Sequence, residues 1–412
     1  MKNRILLLLC CVISFIFLSC SNDVKNEEFP EPPQMMTNLE KVAKALPAFF
    51  SDGIDTRSSE QIRIKEILPL GDFVKMTNAQ TRGTTLEVED CLSNLYVINY
   101  DNDAGFGIVS TSQYLPEVWA YSENGNIEYD SDHPGMKLIL AEILPTALYY
   151  WEKGQKMWDN SIADEETVTR YILYKNYIVV GTGNNNNWWG QDEPFNGFSP
   201  ICSRTGKRMP VGCGATATAI AMASFDYPAT IRYNSNLGSS NPSYSTRTIN
   251  YNRIKNRNYN NLSSYEKLDL MAFFSFIQEG INTEWGCNAS SSTTYNTYLF
   301  LRNNGYSDVK YLDYSESAVV DCLMNKHLCL MRGGDTMGKG GHIWVVWALR
   351  HAKTGTNYFA FDWGWNGVAN GYFLAGIVDP QQRKWNDYDA APGTAPDYNF
   401  ALDMKIITDI YR

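Results

Sequence analysis

The run Gly212-Cys213-Gly214-Ala215-Thr216-Ala217-Thr218-Ala219-Ile220-Ala221-Met222-Ala223 restricts the fold more than any other stretch of this chain. Its residues are small or helix-compatible, and alanine leads the helix-propensity ranking. The spacing predicts a helix over about 213–225, and its alanines let other elements pack closely, which puts it at the centre of a domain. A helix that begins at Cys213 holds the thiol at its N-terminus. Free N–H groups and the positive end of the dipole there favour a thiolate. Gly212 and Gly214 leave room for a substrate backbone. Taken alone, the segment fits a buried structural cysteine in an alanine-rich core helix equally well.

A thiolate that does chemistry also needs a base. Beyond the leader there are four histidines: His133, His327, His342 and His351. His342 follows Gly338-Lys339-Gly340-Gly341 and opens the strand-like run Ile343-Trp344-Val345-Val346-Trp347-Ala348. Glycines there let a loop and a ligand approach closely. A second strand, Tyr358-Phe359-Ala360-Phe361-Asp362, returns after a polar loop. If the two strands form a hairpin, Asp362 and His342 face each other to within a couple of positions. Opposed side chains in an antiparallel pair lie about 5 Å apart, a separation at which a carboxylate orients an imidazole. The expected logic is that Cys213 attacks, His342 takes the proton and Asp362 fixes the tautomer.

Four segments, in order, carry a resemblance to a known family. Gly212 to Ala219, with Asp226-Tyr227-Pro228 beyond, resembles the nucleophile segment of the streptopain-like cysteine peptidases, a papain-like group. Gly340-Gly341-His342 is similar to the family's histidine segment. Asp362-Trp363-Gly364-Trp365-Asn366-Gly367, followed by Gly371-Tyr372-Phe373, is similar to its Trp-Gly-Trp segment. Trp189-Gly190-Gln191-Asp192-Glu193-Pro194-Phe195-Asn196 is similar to the segment whose glutamine helps form the oxyanion hole. The resemblance implies an α+β, papain-like fold: a helical part carrying Cys213 and a twisted antiparallel sheet carrying His342 and Asp362. It implies catalytic roles for Cys213, His342, Asp362 and Gln191. Gly212, Gly340, Gly341, Trp363 and Trp365 would form the substrate site, with Trp363 shielding the His342–Asp362 contact and Trp365 lining the cleft. Peptide hydrolysis through a thioester needs no metal or organic cofactor. The chain departs from streptopain in having Asp362 for asparagine, Gly214 for valine and Asn366 for glycine.

The N-terminus points to export. Lys2 and Arg4 precede an apolar run from Ile5 to Leu18, too short for a mature membrane span. Phe17-Leu18-Ser19-Cys20 resembles a bacterial lipobox, so residues 1–19 are expected to leave and Cys20 to carry lipid. Residues 20–35 read as a tether. The expected destination is the outer membrane or cell surface, with release of a mature domain left open. Formal charge is −10, without a long basic run, which argues against a nucleic-acid partner. Six cysteines remain after the leader and Cys20: Cys91, Cys202, Cys213, Cys287, Cys322 and Cys329. They make no dense disulfide framework. Cys322, His327 and Cys329 lie close in sequence but have no second pair of ligands, so no metal site is expected.

The length of 412 residues suits two or three domains. Apolar spacing predicts a helix near 36–49. Leu95–Tyr100 and Phe106–Ser110 read as a hairpin across Asp101–Gly105. A strand near Trp119–Ser122 and a helix from Pro134 to about Lys153 follow. Residues 36–155 thus form a small α+β unit. Its similarity to the family's pro-domain implies an intramolecular inhibitor. Residues 156–187 would be a partly exposed connection cut on activation, and 188–412 the peptidase domain. Partners would be protein or peptide substrates, the chain's own pro-domain, and a membrane through the lipid. A papain-like transamidase or amidase, and a non-catalytic surface binding lipoprotein on the same scaffold, stay open as alternatives.

Overall fold

The structure is a computed structural model. It describes residues 32–50, 62–72, 93–112, 115–128, 176–178, 189–255, 261–334, 341–351, 356–378 and 402–412. The expected leader, Cys20, the 134–153 helix, Gly340 and all but three residues of the 156–187 connection lie outside them.

The N-terminal unit is one helix on an antiparallel meander. Helix α1 (Pro32–Phe50) buries Leu39, Val42, Ala43, Leu46 and Phe50, positions three or four apart that share one face. That face lies on strands β1 (Ile64–Pro69), β2 (Leu95–Tyr100), β3 (Phe106–Ser110) and β4 (Val118–Ser122), paired in chain order. Gly107 permits the close approach, because a Cβ there would meet Leu46 Cδ1 at 2.5 Å. The Tyr100 hydroxyl donates to the Ala43 carbonyl at 2.7 Å and ties helix to sheet.

Strand β5 (Asn176–Ile178) comes next, then helix α2 (Cys213–Ser224), the hairpin β6 (Thr230–Asn234) and β7 (Tyr244–Thr248), and helices α3 (Tyr251–Ile254), α4 (Ser264–Gly280) and α5 (Thr294–Asn303). Strand β8 (Lys310–Asp313), helix α6 (Glu316–Met324) and strands β9 (Leu328–Gly334), β10 (Gly341–His351), β11 (Asn357–Asp362), β12 (Gly371–Leu374) and β13 (Leu402–Ile410) complete the chain. Helix α2 is buried from Gly214 to Ser224 and packs on α4 and β10. Its hydroxyls survive burial by bonding back one turn: Thr218 Oγ1 donates to the Gly214 carbonyl at 2.6 Å and Ser224 Oγ to that of Ile220 at 2.7 Å. Helix α4 opens on a reciprocal cap between Ser263 and Glu266.

The two units share one sheet. Its order is β1-β2-β3-β4-β12-β11-β10-β9-β13-β8, with β5 on β10. The join is the antiparallel pair β4–β12, with Tyr372 opposite Tyr121 and Phe373 opposite Ala120. Strand β5 lies inside the expected connection, so that stretch is not coil throughout. It pairs with Ala348 to Arg350 of β10, beyond Val346, where the β9 ladder ends.

Candidate active site

Three chain segments converge on the N-terminus of α2. The 189–191 segment is fixed by the Val211 N–H, which donates to the Gln191 carbonyl at 2.9 Å, and by Thr216 Oγ1, which donates to the Gly190 carbonyl at 3.3 Å. The 363–370 loop is held to it by the Asn366 N–H, which donates to the Trp189 carbonyl at 3.0 Å. The 290–292 segment packs against both glycines that flank the thiol. A Cβ on Gly212 would meet the Ser290 carbonyl oxygen at 2.6 Å, and one on Gly214 would overlap Ser292 Oγ. Gly212 also holds φ at +88°, a conformation suited to glycine. The glycines therefore seat the helix start against a neighbouring segment, where the sequence suggested open room for substrate.

Cys213 is half-buried at the first position of α2. The backbone N–H groups of Ile343, Gly214 and Cys213 itself favour its thiolate form. Burial pushes the thiol above its ordinary value; those N–H groups and the Arg332 charge pull it down, and burial wins. The helix terminus thus counts in the expected direction but does not dominate in this form of the protein.

His342 follows Gly341 on β10, the strand on which α2 packs, and immediately precedes Ile343, whose N–H favours the thiolate. The ring is buried among Trp344, Trp363 and Trp365, at centroid separations of 5.7–6.1 Å. Its Nε2 sits between two opposite partners. The Trp363 carbonyl lies 2.9 Å away and accepts when Nε2 carries a proton. The Trp365 indole N–H lies 3.2 Å away and donates when Nε2 is bare.

Asp362 does not face His342. The β10–β11 ladder places it opposite Val345, three residues further on, with a bulge between Val346 and Ala348. Its Oδ1 accepts from the Gly364 N–H at 3.0 Å, and the nearby Asn370 side chain also favours its charged form. Asn370 Oδ1 in turn accepts from the Trp363 N–H at 3.0 Å. The group that meets the imidazole is therefore the carbonyl of the next residue, and the carboxylate holds the turn presenting it. Loss of water around Asp362 pushes its carboxyl up to about 6.

Trp363 is fully buried against Trp344, Phe361 and Phe373, and its indole N–H donates to the Ala369 carbonyl at 3.0 Å. Gln191 is buried beside the helix start, and its side-chain amide makes no hydrogen bond with another described residue. Gly341 is exposed at the mouth of β10. Among the described residues no cluster of His, Cys, Asp and Glu could hold a metal. Cys322 and Cys329 are buried thiols. His327 pairs with Asp409 at 3.0 Å and stacks on Tyr411.

Residues 189–373 match the Peptidase C10 family. Streptopain of Streptococcus pyogenes is 25% identical over 321 residues, covering 70% of this chain and 75% of that protein. The chain is a streptopain-like cysteine peptidase. Residues 56–144 match the Spi protease inhibitor family, so the peptidase carries a Spi-like pro-domain. A thiol protease/hemagglutinin, PrtT of Porphyromonas gingivalis, is 23% identical over 76% of this chain and 36% of that longer protein. Among solved structures, a prointerpain A fragment of Prevotella intermedia superposes with a TM-score of 0.55 at 20% identity. It covers 77% of the peptidase chain and 96% of the fragment, and the shared fold is papain-like with its pro-region.

Sequence reasoning missed the Cys202–Cys287 disulfide, which closes 85 residues of chain. It joins the loop inside the Ile201–Arg208 bridge to that inside the Glu284–Ser291 bridge. The second loop leads into the segment packed on Gly212 and Gly214. Cysteine spacing could not have picked this pair. Ser292 was missed as well, because only its contact with Gly214 sets it apart from its neighbours.

Proposed function

We propose that this peptidase is an exported, lipid-anchored cysteine endopeptidase made as a zymogen, with Cys213 as nucleophile and His342 as its base. The observation that carries the assignment is Cys213 at the N-terminus of a buried helix packed on β10, the strand that carries His342, with Ile343 Cδ1 3.4 Å from where a Gly214 Cβ would stand. The thiol gives its proton to the imidazole, and the sulfur attacks the substrate carbonyl. The oxyanion that forms is met by the Gln191 amide and the Cys213 N–H; one such donor is typically worth about 2.7–4 kcal/mol. The tetrahedral intermediate collapses to a thioester as the amine leaves with the proton from His342. Water, deprotonated by the same ring, then releases the acid and restores the thiol. The Trp363 carbonyl holds Nε2–H during these transfers, and Asp362 acts through the turn that presents it.

In the zymogen the N-terminal unit is an intramolecular inhibitor that grips the histidine's own support. Ser122 Oγ donates to the Asn370 carbonyl at 2.7 Å, and the Ala369 N–H donates to the Asn124 carbonyl at 3.3 Å, both on the loop that carries Trp363 and Trp365. Cleavage between 156 and 187 would free the unit. The short apolar leader of residues 1–19, followed at once by Cys20, supports export and acylation, with substrates met at the outer membrane or cell surface.

The test is N-terminal sequencing of the wild type beside Cys213→Ala. The wild type should yield a product beginning within 156–187, and Cys213→Ala should stay full length and leave casein intact. A Cys213→Ala protein that matured unaided and cleaved casein would remove the nucleophile assignment.

A further inference from the structure

The loop from Glu284 to Ser291 is closed at its base by two backbone hydrogen bonds, each of these residues donating to the other's carbonyl, at 2.8 and 2.9 Å. Its tip, residues 285–290, ends at Ser290, whose carbonyl oxygen lies 2.6 Å from where a Gly212 Cβ would stand. Just beyond it, Ser292 Oγ sits against Gly214. The loop therefore walls the two glycines that flank Cys213, and Asn288 and Ala289 expose it to solvent there. Few polar contacts hold this wall in place. Among the described residues one hydrogen bond ties the tip to another segment: Arg204 Nη2 donates to Asn288 Oδ1 at 2.9 Å, between two exposed side chains. A solvent-exposed hydrogen bond fixes a loop weakly. The covalent tie is the disulfide from Cys287 to Cys202. At the Cys202 end the anchorage is firm. Cys202 is buried, and its N–H donates to the Lys207 carbonyl at 2.8 Å. Arg208 Nη1 donates to the Ser199 carbonyl at 2.6 Å, and Ser199 Oγ accepts from the buried Gln278 of α4 at 2.9 Å. The disulfide thus carries the position of α4 across to the wall beside the nucleophile helix.

We propose that Cys202 and Cys287 are a redox-sensitive positioning pair: joined, they hold the 285–290 tip beside the nucleophile helix, and opened by a small dithiol they weaken substrate binding while Cys213 stays reactive. This deepens, and rests on, the assignment of Cys213 as nucleophile. Cys202 is buried and Cys287 half-buried, so exchange enters at the Cys287 sulfur. One thiolate of the dithiol bonds to that sulfur, and the Cys202 sulfur leaves with the electron pair. The second thiolate of the reagent then displaces the Cys287 sulfur. The reagent is oxidised to its cyclic disulfide, and the two reduced cysteines each take up a proton. The chain thus makes opposite demands on its sulfurs. Cys213 must be a free thiol to attack, whereas Cys202 and Cys287 must stay joined. Activity therefore peaks in a reductant strong enough to keep Cys213 free and too weak to open the disulfide.

The experiment uses the activated protein, first in a monothiol buffer and then in rising concentrations of dithiothreitol. At each step alkylation and peptide mapping give the fraction of the disulfide that is open. A quenched peptide gives KM and kcat, and a peptidyl epoxide taken to its end point counts reactive Cys213. As the bond opens, KM should rise by about five-fold or more while kcat stays within about two-fold, the pattern of lost binding rather than lost chemistry. The epoxide should still take one Cys213 per chain. Return to a buffer of reduced and oxidised monothiol should close the bond and restore KM. The Cys202→Ser/Cys287→Ser variant should carry the raised KM in every buffer and ignore the dithiol; where that variant does not accumulate, the wild-type titration decides alone. The proposal is overturned by an unchanged KM with the bond open, or by a bond that stays closed in excess dithiol. It is also overturned if kcat and the epoxide count fall together as the bond opens, because the disulfide would then support the fold as a whole. A wild type with its disulfide closed that neither cleaves any peptide nor takes the epoxide removes the nucleophile assignment itself, and this proposal with it.

Discussion

Around His342 the decisive contacts come from backbone as much as from side chains. The Trp363 carbonyl meets Nε2, and the Gly364 N–H holds the Asp362 carboxylate. A sequence names the side chains but not which way a peptide unit turns, which is why Asp362 read as the direct partner of His342. The hairpin closes about residue 354, with His351 opposite Asn357, two residues past the closure that would set Asp362 against His342; the bulge between Val346 and Ala348 recovers one position, and Asp362 lands opposite Val345. Cys213, His342 and the Trp-Gly-Trp loop were legible because glycines and tryptophans surround them in recognisable order. Asp362 carries a consequence for stability. Its carboxyl is raised to about 6 in the folded protein against an ordinary 3.8. The folded chain thus holds this proton more tightly, and the resulting stabilisation, complete below about pH 4, is lost as pH rises through 6. Asp362→Asn keeps an acceptor for the Gly364 N–H and removes the buried charge. It should leave kcat/KM within a few-fold and stabilise the protein at pH 7.5, by roughly 3 kcal/mol at most. The variant should be no more stable than the wild type at pH 4. Urea unfolding at the two pH values measures both.

Among the elements, α2 was the most legible, because a run of alanines that opens on glycines has few other uses. What covers its first turn was not legible. Cys202, Cys287 and Ser292 sit in polar, glycine-containing loops whose pairing is decided by chain segments about 85 residues apart. The Ser292 hydroxyl is buried without a hydrogen-bond partner among the described residues, against Gly214. Leaving such a group unpaired is costly, so Ser292→Ala should be neutral or stabilise by about 1 kcal/mol. Gly214→Ala should destabilise, since its methyl group falls on that hydroxyl. The Gly214→Ala/Ser292→Ala double variant should recover about 1–2 kcal/mol of the loss. Thermal unfolding of the four proteins closes the cycle; additive effects would mean that the two residues do not meet.

Across the whole molecule, the sequence reads as two bodies with a connection, whereas the structure runs one sheet through both. Neither β4 nor β12 signals its partner, because Val118–Ser122 and Gly371–Leu374 are short, and pairing across some 250 residues has no local pattern. The join is reinforced at Phe50, whose ring stacks on Tyr121 at 5.0 Å and Tyr372 at 5.4 Å and meets Tyr358 edge-on at 5.5 Å. Tyr358 and Tyr372 belong to the peptidase domain, so Phe50 pins the N-terminal unit to it. Truncating a buried phenylalanine costs about 3–5 kcal/mol. Phe50→Ala should therefore mature faster than wild type and show peptidase activity earlier, as followed by gel and peptide cleavage; unchanged maturation would mean that this contact does not restrain the zymogen. The account as a whole turns on whether the Cys213 thiol is activated by His342. Intact-mass and peptide-mapping analysis after a peptidyl epoxide tests that most directly, on activated wild type beside His342→Ala. The account predicts one adduct per wild-type chain, on Cys213, with Cys322 and Cys329 unmodified and almost none in His342→Ala. Labelling of Cys213 at the same rate without His342, or no preference for Cys213 over the other thiols, would contradict it.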